Sequence, residues 1–265
     1  MKIKPLLIYI YIKRLFQRIF RFSIPFLIIF ILEIIFGVLD LKKHSLFTYF
    51  VNGGVGQGSY YFPVLVQLMF LFCIMFFFFK KDANKTLISI FFINLFYEFL
   101  CSILDIKDNT YRILSFRYLF LFSLGIWLSM CSKKIKKKYL IISFVIGFLY
   151  ILNCAYLKID IFLFKKWANT SMMCAFYIFP IFYFLYDKFS SFKLNNIFYF
   201  VLTEIGKASW HIFLLQMLFY AKFKLLFSFM PLAFWHLSNV FLCIIVGWLF
   251  YFIENKIFKL KLSKT

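Results

Sequence analysis

The chain has 265 residues, 64% of them hydrophobic, 25% aromatic and only 15% charged, with a mean hydropathy of +0.89. An ordinary soluble domain is about 45–50% apolar and about 25% charged, so a water-soluble globular protein is excluded. The net charge of +21 would suggest nucleic acid in a soluble protein, but a nucleic-acid binder shows its basic residues on a polar face. Here the lysines cluster between long apolar stretches, so the partner implied is a lipid bilayer and not a nucleic acid.

At the N-terminus, basic residues lead into a long apolar stretch with no small-residue cleavage site, which reads as a retained span rather than a cleaved signal peptide. A helix crosses the hydrocarbon core with about 20 mostly apolar residues. Eight such stretches follow in chain order, at 22–39, 61–79, 86–104, 113–131, 139–157, 171–187, 198–226 and 233–254. The expected fold is all-α, a polytopic membrane helical bundle forming a single membrane-embedded domain over 1–265. Glu204, Lys207 and His211 lie in the first half of the seventh stretch. A charge there costs about 2.5–3.5 kcal/mol, so that span proper is expected to begin near Ser209.

Lys and Arg are enriched in cytoplasmic loops. With the N-terminus inside, 21 of the 31 basic residues fall on inner segments, nine in outer loops, and Arg117 within a span. Both termini are therefore expected in the cytoplasm, with the protein in the inner (cytoplasmic) membrane. No outer loop is much longer than 20 residues, so any chemistry must occur in or beside the bundle. Cys73, Cys101, Cys131, Cys154, Cys174 and Cys243 stand singly, without a Cys-x-x-Cys pair or a His at ligand spacing. Neither a zinc site nor a disulfide framework is implied, and the cysteines read as packing residues.

Three stretches carry more information. The first runs from Tyr11 to Phe22. Residues three and four apart on a helix are neighbours, so Arg14, Arg18 and Arg21 form one cationic stripe at the cytoplasmic mouth. It reads as an anchor on anionic lipid or as a clamp for a phosphorylated donor, because guanidinium binds phosphate in a bidentate manner. The second runs from Asn52 to Gln67, with Gly53, Gly54, Gly56 and Gly58 followed by Tyr60 and Tyr61. Glycines there permit positive φ and close approach; no Gly-Lys-Ser/Thr ends the run, so it is not a P-loop. It reads as a re-entrant turn with interfacial tyrosines or as a ligand-approaching loop. The third runs from Leu202 to Met217. Gly206, Ala208 and Ser209 would permit close helix contact, while Glu204, His211 and Gln216 are polar groups expected to face a bundle interior. His211 is the candidate general base, a hydrogen-bonded packing histidine being the other reading.

In this order and spacing, the three stretches resemble the membrane-bound acyltransferase 3 family, whose members move acetyl or other acyl groups onto cell-surface sugars and polysaccharides. The tract from Gly206 through Lys207, Ser209 and Phe213 to Gln216 is similar to the family's late Gly-Lys-x-Ser segment. Many members have His where Gln216 stands. Arg18-Ile-Phe-Arg21 matches the family's Arg-x-x-Arg motif, and Gly125 falls where the family often has a glycine. The resemblance implies an O-acyltransferase with Arg18 and Arg21, flanked by Arg14, at the acyl donor. It also implies acyl-CoA as co-substrate with no bound cofactor or metal, and a sugar or polysaccharide acceptor. Tyr60, Tyr61, Gly206, Ser209 and Gln216 are then acceptor-facing or structural.

The chain departs from the pattern at its start. Family members carry a further N-terminal hairpin with an Arg and the His taken as catalytic base, whereas no His here precedes His44, in an outer loop. The expectation is an N-terminally shortened member. Two other readings stay open: a catalytically inactive member, and a polysaccharide transporter or polymerase-like protein. Transporters commonly carry internal repeats, and neither the glycine loop nor the Gly-Lys-x-Ser tract has a second copy.

Overall fold

A computed structural model describes residues 5–56, 58–130, 135–159, 161, 163, 171–190, 196–223, 229 and 231–262. Cys131 and the ends of the fourth and seventh predicted spans lie outside the described residues. Among those residues every regular element is helical, with no strand: α1 Pro5–Ile35, α2 Leu46–Val51, α3 Tyr61–Lys81, α4 Ala83–Ile103, α5 Asp108–Ile113, α6 Leu119–Met130, α7 Lys137–Ile151, α8 Ala175–Ser190, α9 Asn196–Lys222 and α10 Leu232–Leu262. A 3-10 turn, Ser115–Tyr118, leads into α6, and a π-helical turn, Leu152–Tyr156, extends α7.

A helix underlies each predicted span. Five are long and apolar enough to cross a membrane: Tyr61–Lys81, Ala83–Ile103, Lys137–Tyr156, Met172–Phe189 and Phe234–Ile257. The apolar helix Ser115–Met130 is shorter, and α9 carries Glu204 and Lys207 in its first half. At about 1.5 Å per residue the 31 residues of α1 extend about 46 Å, longer than the roughly 30 Å hydrocarbon core. Its arginine-bearing half and its apolar half therefore cannot both lie in hydrocarbon.

Burial is inverted relative to a soluble protein. Glu33, Asn94, Glu98, Arg117, His211 and Asn239 are buried, while Phe20, Phe92, Phe96, Phe182, Phe184 and Phe241 stand at least half exposed. Exposed apolar patches of this extent mark a surface that meets lipid, and buried ionisable groups in such helices face the protein interior. The molecule is a multi-pass membrane protein.

The chain divides into two compact units, Met1–Phe62 with Lys193–Thr265, and Pro63–Phe192. In the first, α9 packs against α10 and α1. Gly247 lets α10 approach α9, since a Cβ there would stand 2.5 Å from the Ile212 Cα. Close contact had been expected of Gly206, Ala208 and Ser209; Ala208 is fully buried, but Gly206 and Ser209 are exposed, and nothing lies within 4 Å of a Cβ built on Gly206. The small residue that α9 needs sits on its partner helix.

In the second unit, Asp82 caps α4, accepting from the Asn84 and Lys85 amides at 3.1 and 3.0 Å, which satisfies donors that a helix start leaves open. Leu119 and Ile126 of α6 pack with Met75 and Phe79 of α3 and Ile90 of α4. Phe120 and Leu124 of α6 pack with Met172, Ala175 and Phe179. Gln67 of α3, the last residue of the glycine-rich stretch, donates to the Ile113 carbonyl at 2.9 Å and accepts from the Ser115 amide at 3.0 Å, tying down the link between α5 and the 3-10 turn.

Candidate functional site

The site is built in the first unit, where all three singled-out stretches contribute. On α1, Arg14, Arg18 and Arg21 are all exposed. At 3.6 residues per turn they fall within an arc of about 60°, and among the described residues none pairs with a carboxylate. One residue further on, the Phe22 carbonyl accepts a hydrogen bond from Trp210 Nε1 at 3.1 Å, and the two rings meet edge-on at 5.5 Å. Pro25 has no N–H, so the ladder bond that would run to the Arg21 carbonyl is missing. The contact with Trp210 thus falls beside a weak point of α1.

The same tryptophan anchors the start of α3. Tyr61 lies 5.9 Å from Trp210 and 5.2 Å from Phe213, and Phe62 stacks on Phe26 of α1 at 3.8 Å. Tyr60 is half-buried and Tyr61 exposed. Ahead of them, Gly53, Gly54, Gly56 and Gly58 all have positive φ, between 82° and 109°. Three also face close neighbours: a Cβ would stand 2.7 Å from Glu33 Oε2 at Gly54, 3.1 Å from the Met217 carbonyl oxygen at Gly56, and 3.1 Å from the Phe213 ring at Gly58. Glu33, 1% exposed, accepts from the Val55 amide at 3.3 Å on each oxygen. The glycine loop is therefore a turn folded onto a carboxylate of α1 and onto α9.

On the opposite side of α9, His211 Nε2 is hydrogen-bonded to Glu254 Oε2 of α10. The imidazole is edge-on to Phe250 at 4.9 Å and to Tyr251 at 5.3 Å, and Nδ1 is buried with no partner among the described residues. A neutral imidazole carries one N–H and one lone pair. With the proton on Nε2 facing Glu254, Nδ1 holds the lone pair, and the carboxylate fixes tautomer and ring orientation as in nucleophile–base–carboxylate sites. Arg21 and His211 are each one residue, about 1.5 Å in height, from the Phe22–Trp210 hydrogen bond. The Arg21 end of the cationic stripe therefore stands at nearly the same level of this unit as His211, with Arg18 and Arg14 about 6 and 12 Å further along α1 from Phe22.

Among the described residues none of the other sequence candidates hydrogen-bonds to the pair. Gly206, Ser209 and Gln216 are exposed, so Gln216 does not face the interior as expected, and Glu204 is paired with Lys207 at 2.7 Å. Gly125, in the second unit, is exposed with nothing within 4 Å of a Cβ. Sequence reasoning passed over Glu33 and Glu254. Glu33 carried a signal, as the one acidic residue within the first apolar stretch; Glu254 did not, being 43 residues from the histidine it meets.

The second unit holds its own buried polar cluster. Tyr111 donates to both Glu98 oxygens at 2.9 Å, and the Met172 amide reaches Oε1 at 3.2 Å. Burial first, then the Glu98 charge, push the Tyr111 phenol far above its ordinary range, so it is the proton donor. The Arg117 guanidinium lies over the Tyr111 and Tyr118 rings at 5.7 and 4.4 Å and donates to the Tyr118 hydroxyl. Among the described residues no group of His, Cys, Asp and Glu could hold a metal ion, and the five described cysteines are free thiols. Comparison with protein-family models, curated proteins and solved structures finds no match to this chain.

Proposed function

We propose that the protein is a membrane-bound O-acyltransferase of the inner membrane. In this reading it has eight spans with both termini cytoplasmic, and passes an acyl group, acetyl in the simplest case, from acyl-CoA to a hydroxyl of a sugar or surface polysaccharide. The observation that carries the reading is the meeting of the Arg-x-x-Arg segment with the Gly-Lys-x-Ser tract through Trp210 and Phe22, two of the three stretches on which the resemblance to the acyltransferase 3 family rests. In this reading Arg18 and Arg21, with Arg14 beside them, bind the donor phosphates in bidentate fashion. His211 serves as general base.

The transfer balances simply. Nδ1 of His211 takes the acceptor hydroxyl proton as that oxygen attacks the thioester carbonyl. The C–O ester bond forms, the C–S bond breaks, and the proton passes to the departing thiolate. Glu254 stabilises the imidazolium in between. Nδ1 is enclosed in this state, so acceptor binding has to displace the side chains over it. Tyr60 and Tyr61, at the end of the glycine loop, are in this reading acceptor-facing or structural aromatics, Tyr61 lying against Trp210 and Phe213.

The experiment is replacement of both Arg18 and Arg21 by Ala in cells, with surface O-acyl esters quantified and the protein's membrane level measured in parallel. Loss of the esters at normal protein level is expected. Retained acylation overturns the donor clamp, and solute flux without acyl transfer would point to a transporter instead.

A further inference from the structure

The second unit contains a cavity of about 200 Å³ between α4, α6, α7 and α8, lined by residues including Leu87, Leu124, Trp127, Leu140 and Phe176. Two of its polar lining groups are already engaged: Ser143 Oγ donates to the Phe176 carbonyl at 2.8 Å, and Trp127 Nε1 donates to Asn84 Oδ1 at 2.9 Å. The third, the exposed Tyr139, stands at the lysine end. A cavity lined otherwise by hydrocarbon offers ordered water too few partners, so the occupant that fits is hydrocarbon.

The cavity lies directly under a cationic rim. Ile135, Tyr139, Leu140 and Ser143 line it, and Lys136, Lys137 and Lys138, all exposed, stand between the first two of these. Among the described residues none of the three lysines pairs with a carboxylate. From Tyr139 to Ser143 the lining descends four residues along α7, about 6 Å, away from the lysines. Trp127 and Tyr139 are the residue types that gather at headgroup level.

We propose that this is a binding site for an anionic glycerophospholipid, with one acyl chain in the cavity and the headgroup phosphate on Lys136, Lys137 and Lys138. The charge of the rim decides between lipids. Zwitterionic and anionic phospholipids bring the same chains, but only the anionic headgroup keeps a net negative charge against three ammonium groups that no described carboxylate neutralises, Lys138 lying over the Tyr139 ring at 5.1 Å. The site is independent of acyl transfer and stands or falls without it.

The test is photo-crosslinking of the purified full chain in detergent with a phosphatidylglycerol bearing a diazirine on its acyl chain, followed by peptide mapping and competition. Labelling of the 135–143 segment is expected, displaced at least tenfold better by unlabelled phosphatidylglycerol than by phosphatidylcholine. Replacing Lys136, Lys137 and Lys138 together by Gln should abolish that preference. Leu140→Trp, which fills the cavity, should reduce labelling severalfold, with helical circular dichroism and monodisperse elution retained. Should Leu140→Trp fail to fold, the lysine variant still decides. Equal competition by both lipids, or labelling scattered over the lipid-facing helices, overturns the proposal. Stronger displacement by a long-chain acyl-CoA than by phosphatidylglycerol also overturns it, in favour of a thioester-binding site.

Discussion

Trp210 Nε1 donates to the Phe22 carbonyl across 188 residues of sequence, at 3.1 Å, and this one bond ties the arginine-bearing helix α1 to α9 one residue from Arg21 and one from His211. Interhelical hydrogen bonds in membrane proteins contribute about 0.6 kcal/mol on average and up to about 1.7. Trp210→Phe keeps an aromatic ring and removes the donor. We expect a loss of about 1 kcal/mol in detergent-titration unfolding, with surface acylation lowered but not abolished. Trp210→Ala, which also removes the contacts to Phe22, Tyr61 and Phe213, should lose more on both measures.

Gly54 and Gly37 offer a controlled comparison. Both have positive φ, but a Cβ on Gly37 meets nothing within 4 Å whereas one on Gly54 runs into Glu33. Left-handed backbone costs an alanine about 1–2 kcal/mol. Gly37→Ala should show that cost alone, and Gly54→Ala should be clearly worse, because Glu33 must also shift from the Val55 amide. Thermal melting of the two purified variants checks the order. Equal melting temperatures would mean that the glycine is required for conformation only.

Tyr111→Phe deletes the one hydroxyl that donates to both oxygens of the buried Glu98 carboxylate. An unsatisfied buried acceptor costs about 1–3 kcal/mol, more when charged. The structure therefore predicts a destabilisation in that range or above it, partly relieved when Glu98→Gln removes the charge in the same molecule. A double-mutant cycle measures the coupling.

Asp82 gives a pH-dependent signal outside the spans. Its carboxyl is held below the ordinary aspartate range, first by the Lys85 backbone amide. Because the folded value is the lower one, the cap stabilises α4 above the unfolded value of about 3.9 and is lost as pH falls through the folded value. The amide resonances of Asn84 and Lys85 should titrate together at a pH below about 3.9. With Asp82→Asn the titration should vanish.

Most of the helices were legible in the chain, because lipid-facing stretches carry an unbroken apolar signal of the right length and the bilayer leaves backbone few other options. The arginine stripe and the glycine loop were legible too, the first from i, i+3 and i, i+4 spacing, the second from composition. What the loop contacts was not. The Glu33 carboxylate it wraps is 22 residues from Val55, and the partners Glu254 of His211 and Met172 of Glu98 are 43 and 74 residues away. Such pairings arise from helix packing, which local spacing does not encode. Gly206 shows the converse: a small residue signals close approach only when a neighbour is there, and here Gly247 on α10 supplies it.

In the function proposed above, His211, held by Glu254, moves the proton of an acyl transfer whose donor sits on Arg18 and Arg21. The most direct test of that role is a transfer assay with the purified full chain reconstituted in vesicles, radiolabelled acetyl-CoA and cell-surface polysaccharide, reading alkali-labile label on the acceptor. Label above that of protein-free vesicles is expected. His211→Ala should lower turnover by about 10²–10⁴-fold, the range of general-base contributions, and Glu254→Gln should lower kcat while the KM for acetyl-CoA is unchanged. Label that is absent with folded wild-type protein, or unchanged in His211→Ala, would contradict that role.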